Sequence, residues 1–269
     1  MRTTAGLYAG SVTKLEIFEP DRRAIPYLDQ GEGFTVVLLP AEGLNIASLG
    51  MLASVLVEEG FRVVRIGNRR PSGDEAPVTM HDLAQDVVEV MDRIGLPAES
   101  WVGGHGFGGA VARTVAHDHA GRVSGVLLLG VAAPGPMGED AAQALSTAFS
   151  DADDADGLEA MRVLAGDADD LELAWRLFSG TRDRAVMPMQ RAALAATPEE
   201  AWAPLPADLP VLIIQGSDDR VMPPAHGDAL QDLAPERVSS SRIEGHGHLF
   251  VMTDPVETAG AIEDYLGWD

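Results

Sequence analysis

One segment of this 269-residue chain, WVGGHGFGGAVARTVAHDH at 101–119, joins a strand, a glycine-rich turn and a helix without a linker. Its first five residues predict an apolar strand, and the apolar pattern from about Phe107 predicts a helix. Gly106 lies at the turn between them, and Gly108 and Gly109 permit close contact between the helix and the strand. Such a direct strand-to-helix turn is typical of a chain that alternates strands and helices around a sheet.

Strand and helix signals alternate on both sides of this segment. Further strands are predicted at 15–20 and 24–28, which form an antiparallel hairpin, and at 34–40, 61–67, 124–130, 210–216 and 238–245. Further helices are predicted at 48–59, 79–94, 225–233 and 255–266. In the second of these, apolar residues beginning at Leu83 recur four, five and eight positions on and share one helix face. This alternation implies right-handed crossovers and a mainly parallel central sheet.

Residues 133–205 differ in character from the rest of the chain. They are helical by pattern, contain acidic runs such as DADDADG, and are interrupted by glycine and proline. We therefore divide the chain into an α/β core formed by 1–132 and 206–269 and a helical cap at 133–205 that lies over one end of the sheet. The methionines and tryptophans of the cap indicate an apolar, medium-sized ligand, although packing between helices accounts for most of them.

Composition argues against several classes of partner and chemistry. The formal charge of −23 disfavours binding to nucleic acid or to anionic membrane surfaces. No apolar run has the length of a membrane span, and the N-terminal residues lack the apolar core of a signal peptide, so we expect a cytoplasmic protein. Cysteine is absent, which rules out disulfides, thiolate nucleophiles and zinc–cysteine sites. The oligomeric state is left open.

Three separated segments, each following a predicted strand, carry a more specific pattern. They are GHGFGG at 104–109, IIQGSDDRVMPP at 213–224 and EGHGHLFVMTDP at 244–255. In this order they resemble the nucleophile, acid and histidine segments of proteins that have the α/β-hydrolase fold and a small helical cap. The resemblance covers nearly all of the chain. It implies a mostly parallel central sheet flanked by helices, with a cleft at the carboxyl ends of the strands and under the cap.

The resemblance also implies which residues are the acid and the histidine. The family acid stands in a G-x-x-D-x-x-x-P loop, which selects Asp219, and the family histidine precedes an apolar residue, which selects His248. A buried carboxylate beside the imidazole would keep it neutral and oriented to accept a proton. Asp218 is expected to face solvent, His246 to be a loop residue and His105 to be a packing residue. No third ligand accompanies the two nearby histidines, so no metal site is predicted.

Two positions depart from the family pattern. Gly106 stands where the family carries its serine nucleophile, so the turn keeps its backbone conformation and offers no hydroxyl. In place of the family's His-Gly-x, this chain has Pro followed by Ala41 and Glu42, so that Glu42 takes the position of one oxyanion-hole donor. The backbone N–H of Phe107 is the other donor that the resemblance implies. We interpret Glu42 either as an exposed loop residue or as a pocket carboxylate that binds substrate or pairs with His248.

Three functions remain open from the sequence. The first is an enzyme without a cofactor, in which His248 and Asp219 act on an apolar metabolite in hydrolase-, lyase- or cyclase-like chemistry. The second is a non-catalytic ligand-binding protein that keeps the cleft. The third is a conventional serine esterase whose nucleophile has been replaced by Gly106. Arg69 and Arg70 follow a predicted strand and either contact an anionic group at the cleft edge or lie on the surface.

Overall fold

The centre of the molecule is a twisted sheet of eight strands in a computed structural model that describes residues 14–70, 77–132, 137–151, 153–166 and 170–267. The strands are β1 (Glu16–Phe18), β2 (Ile25–Gln30), β3 (Thr35–Leu39), β4 (Arg62–Ile66), β5 (Trp101–Gly106), β6 (Gly125–Val131), β7 (Val211–Gly216) and β8 (Val238–Ile243). Their order across the sheet is β1-β2-β4-β3-β5-β6-β7-β8. The β1–β2 and β2–β4 pairs are antiparallel, and the remaining pairs are parallel. The predicted opening hairpin and parallel sheet are both present.

Helices follow the strands in the alternation that the sequence predicts. They are α1 (Gly50–Glu58), α2 (Met80–Arg93), α3 (Phe107–Asp118), α4 (Glu139–Phe149), α5 (Asp154–Leu164), α6 (Leu171–Thr181), α7 (Met187–Ala196), α8 (Glu199–Trp202), α9 (Ala225–Leu233), α10 (Phe250–Thr253) and α11 (Pro255–Leu266). None of these helices, within the described ranges, is long and apolar enough to cross a membrane.

Both faces of the sheet are covered by helices, so the core has two layers. Val36 and Leu38 of β3 enter one layer together with apolar residues of α1, α10 and α11. Val37 and Leu39, which point to the other face, enter the second layer with α2 and α3. Because neither face of β3 meets water, its sequence TVVLL shows no polar alternation, and this is the signal that predicts a central parallel strand.

Capping interactions fix helix ends that apolar periodicity leaves imprecise. α2 follows Thr79, whose Oγ1 accepts from the Asp82 N–H at 3.2 Å, while the Asp82 carboxylate accepts from the Thr79 N–H at 2.8 Å. This reciprocal pair confirms the helix predicted at 79–94. α1 begins at Gly50 rather than at Ser48, because a 3₁₀ turn at Ile46–Leu49 satisfies the backbone immediately before it.

Helices α4 to α8 all lie between β6 and β7 in the chain, within the stretch predicted as a cap. α4 packs against α5, and α5 packs against α6, through small and apolar side chains. Residues 133–136, 152 and 167–169 of this stretch lie outside the described residues, as do residues 1–13, which belong to the segment predicted to lack a signal peptide. The division into core and cap stays a prediction.

Candidate active site

The carboxyl ends of the central strands meet at a cavity of about 610 Å³. The sheet side of the cavity is lined by residues at or after strand ends, namely Ala41, Gly106, Ala132, Val221 and His248. The facing wall comes from α4, α6, α7 and α8, through Leu145, Phe149, Phe178, Met187 and Trp202. The cavity therefore lies where the sequence predicts a cleft, between strand ends and the helices that follow β6.

Gly106 forms the turn between β5 and α3. It is the last residue of the strand, and Phe107 is the first residue of the helix. Its φ of 51° and ψ of −112° are accessible to glycine, whereas other residues adopt such angles only with strain. Gly106 thus supplies the backbone conformation of a strained turn at no steric cost. The Phe107 N–H, at the first helical position, has no acceptor within the helix.

Close packing of α3 against the sheet depends on the glycines around this turn. A Cβ on Gly108 would overlap the carbonyl oxygen of Leu39 at the end of β3. A Cβ on Gly104 would overlap the backbone of Gly108. The first turn of α3 is consequently held against two strands, which fixes the position of Phe107 at the cavity floor.

We expect Gly108→Ala to lower the free energy of unfolding by about 3 kcal/mol, because the new methyl group has no room beside the Leu39 carbonyl. Urea denaturation followed by circular dichroism measures this change. Gly121→Ala is the matched control, since no atom lies within 4 Å of a Cβ at that position. A Gly108→Ala protein as stable as the control would show that α3 can move away from β3.

Asp219 and His248 lie in contact at the edge of the cavity. The His248 Nδ1 and the Asp219 Oδ2 are 2.8 Å apart, and Asp219 is only 3% exposed. The second carboxylate oxygen of Asp219 accepts from the backbone N–H groups of Val221 at 2.9 Å and Met222 at 2.8 Å. This loop geometry fixes the carboxylate, which in turn fixes the imidazole so that Nε2 faces away from it.

The other nitrogen of His248 points toward the glycine turn. A Cβ on Gly106 would lie 3.3 Å from the His248 Nε2 and 3.8 Å from the Ala41 Cβ. A further glycine that the sequence motifs do not single out, Gly130, has a φ of 59°, and a Cβ there would lie 3.0 Å from the His248 imidazole. Its position near the carboxyl end of β6 is the sequence feature that could have indicated a role at the site, because the missing side chain leaves space for the His248 ring.

His105 lies beneath His248, as a packing residue would. Its ring is fully buried, with its centroid 4.5 Å from that of His248, and its Nε2 is 2.8 Å from the His248 carbonyl oxygen. Burial and the neighbouring His248 lower the pKa of His105 well below its usual value. The ring is therefore neutral and donates its Nε2–H to that carbonyl, which supports the backbone of the catalytic candidate.

Glu42 lies in the cavity wall and pairs with a residue that the sequence did not suggest. Its carboxylate is 2.5 Å from the Arg191 Nε of α7, so the hypothesis of a Glu42–His248 pair is wrong. The next residue, Gly43, donates its N–H to the Gln190 side-chain oxygen at 2.9 Å. The loop after β3 is thus attached to α7 by two adjacent interactions. Such partners are far apart in the chain and leave no local pattern to detect.

Several other candidates lie outside the cavity. Asp218 is exposed, and His246 lies in its loop near Thr253. Neither alternative for Arg69 is correct, because it is buried and pairs with Asp86 through a 2.5 Å contact instead of lying at the cleft or on the surface. Arg70 is half-exposed and pairs with Asp183.

Comparison with known proteins gives one family and one fold. A family profile described as alpha/beta hydrolase family matches residues 32–261. Similar solved structures include an esterase from Thermogutta terrifontis, with a TM-score of 0.72 and 21% identity, over 94% of this chain and 98% of that one. A serine hydrolase involved in carbazole degradation has a TM-score of 0.73 and 18% identity, over 96% of this chain and 100% of that one. A bromoperoxidase from Bacillus anthracis has a TM-score of 0.71 and 20% identity, over 95% of this chain and 99% of that one.

No curated protein sequence matches this chain. At identities near 20%, the solved structures establish the fold, and they confirm the α/β architecture predicted from the sequence.

Proposed function

Because this chain belongs to the alpha/beta hydrolase family, we propose that it is an enzyme in which His248 and Asp219 act as a general base without a serine nucleophile. One observation carries the proposal. The His248 Nε2 lies 3.3 Å from the Cβ position of Gly106, in a cavity where no hydroxyl group of residue 106 stands between it and a ligand. The imidazole can therefore take a proton directly from a bound ligand or from a water beside it.

In the proposed step, His248 Nε2 accepts a proton from a C–H, N–H or O–H group, and the imidazolium that forms is stabilised by Asp219. Negative charge that develops on the ligand is received by the N–H of Phe107 and by the amino-terminal end of α3. General-base catalysis of this kind contributes about 10²- to 10⁴-fold to a rate.

Acyl transfer through the protein is disfavoured at two positions. Gly106 has no side chain to acylate, and Glu42, which takes the sequence position of an oxyanion-hole donor, puts a carboxylate in the wall of the same cavity. Arg191 offsets part of the Glu42 charge through their contact at 2.5 Å. Solved relatives with this fold are named as esterases, as a serine hydrolase and as a bromoperoxidase, so the fold alone leaves the reaction open.

The lining of the cavity supports an apolar, medium-sized ligand. Its walls are mainly aliphatic and aromatic, and its volume of about 610 Å³ is in the range of small-molecule sites. The charged and ionisable lining residues are few, and they include His248 on the sheet side and Arg184 and Arg191 on the facing side. We propose a small-molecule metabolite as the partner, which the net charge of −23 favours over nucleic acid.

We expect His248→Ala to reduce turnover at least about 100-fold while ligand binding is kept. Purified protein is incubated with an extract of apolar metabolites, and the depletion of each metabolite and the formation of products are followed by liquid chromatography and mass spectrometry. Binding is measured by recovering the same metabolites with the immobilised protein. Turnover should fall because the variant lacks the His248 imidazole, which is the proton acceptor in the proposed step.

A matched pair of variants separates catalysis from folding. Asp219→Asn should lower turnover strongly because it removes the carboxylate that orients His248, whereas Asp218→Asn, at the exposed neighbouring position, should leave it unchanged. If wild type and His248→Ala recover the same metabolites and neither converts any of them, the protein is a binding protein and the proposal fails.

A further inference from the structure

A second depression of about 530 Å³ shares one lining residue, Ala132, with the cavity described above. Its lining includes Arg113 of α3, Glu199 and Glu200 of α8, and a wall from α9. Trp202 lines the first cavity and contacts the guanidinium of Arg113, whose Cζ lies 5.9 Å from the indole centroid. The two sites are thus adjacent and differ in their polar groups.

Arg113 is a buried cation that has no anionic partner among the residues the structure describes. The residue is 2% exposed, its Nη1 donates to the carbonyl oxygen of Ala132 at 3.0 Å, and its Nε is buried with no partner among the described residues. Within the described ranges no carboxylate forms an ion pair with it. Burial lowers its pKa to about 10, so the guanidinium is still charged at neutral pH. A buried charge of this kind is costly unless something compensates it.

The walls of the depression also contain a buried imidazole nitrogen and an apolar surface. The Nδ1 of His226 is buried and has no partner within the described part of the chain. Leu230 and Leu233 of α9 form the apolar wall, and Leu233 is 79% exposed. Glu199 and Glu200 are exposed, so water and salt screen their charges far more than they screen that of the buried Arg113.

We propose that this depression binds a small amphipathic monocarboxylate. Its carboxylate accepts hydrogen bonds from the Arg113 guanidinium, with His226 nearby, and its aliphatic chain covers Leu230 and Leu233. The bound anion supplies a charge partner that the described residues do not, and its aliphatic chain removes exposed apolar surface from water. The site does not depend on the reaction proposed for His248.

Isothermal titration calorimetry with octanoate tests the proposal. We expect octanoate to bind wild type at least tenfold more tightly than octanol, which lacks the charge. Arg113→Met should weaken octanoate binding about 10- to 100-fold, because it removes a charged donor. Arg113→Met is expected to fold, since it replaces an uncompensated buried charge with an unbranched apolar side chain. Leu233→Asp, at an exposed position, weakens binding without touching the core.

Arg191→Met is the matched control, because Arg191 belongs to the first cavity. It should leave octanoate affinity unchanged. The proposal is overturned if Arg191→Met abolishes binding while Arg113→Met and Leu233→Asp do not, since octanoate would then occupy the first cavity. Tighter binding of octylammonium than of octanoate would also overturn it and would assign the site to the two glutamates.

Discussion

Gly106→Ser is expected to hydrolyse an activated ester such as p-nitrophenyl acetate about 1000-fold faster than Gly106→Ala does. The turn already has the required backbone angles, and a Cβ there lies 3.3 Å from the His248 Nε2, which places a hydroxyl within reach of the imidazole. Loss of the nucleophile from a complete serine site costs about 10⁶-fold. We expect a smaller gain because the Glu42 carboxylate lines the same cavity and would disfavour negative charge that develops there.

Gly106→Ala is the control because it introduces the same Cβ without a hydroxyl. Both variants should lose about 1–3 kcal/mol of unfolding free energy, since each places a side chain at a φ of 51°. Covalent labelling by a fluorophosphonate, read by mass spectrometry, should mark residue 106 only in Gly106→Ser. Adding Glu42→Gln to Gly106→Ser should raise the activity further. If Gly106→Ser is neither labelled nor active and Glu42→Gln restores nothing, the loop after β3 has closed the oxyanion site.

The fold and the central pair of the site are predictable because their signals are local. Buried parallel strands carry continuous apolar runs, and helix periodicity survives in short windows, so TVVLL and the α2 face are visible in the sequence. Gly106 ends β5, and the resemblance to the α/β-hydrolase family selects Asp219 and His248 in the loops that follow β7 and β8. Parallel strands then bring these three positions to one edge of the sheet, whatever the intervening chain does.

Pairings between distant segments are not predictable in the same way. Glu42 and Arg191 are 149 residues apart, and nothing near either one indicates the other. The same limit explains the wrong expectation for Arg69, which sits after a strand where a cleft residue or a surface residue is plausible. Its actual partner, Asp86, lies on the buried face of α2, 17 residues away. Asp86 is a buried charged residue among the apolar residues of α2, and this position is the sequence feature that could have indicated a buried ion pair.

The ion cluster around Asp86 leads to the largest expected loss of stability. Asp86 is buried on α2, and its two carboxylate oxygens accept from Arg23 Nη1 and Arg69 Nε, each at 2.5 Å. Glu89 pairs with Arg23 at 2.7 Å, so Arg69 depends most on Asp86. We expect Asp86→Ala to lower the free energy of unfolding by about 3–5 kcal/mol, because the buried Arg69 guanidinium loses the carboxylate to which it donates a hydrogen bond. Urea denaturation measures the change.

Asp92→Ala on the same helix is the control, because its ion pair with Arg122 is exposed, with Asp92 61% accessible. That pair should contribute only about 0–1 kcal/mol. Adding Arg69→Met to Asp86→Ala should recover part of the loss, since it removes the uncompensated charge itself. If Asp86→Ala and Asp92→Ala have equal effects, the cluster is solvated in solution. If the double variant is less stable than Asp86→Ala alone, the packing of Arg69 matters more than its charge.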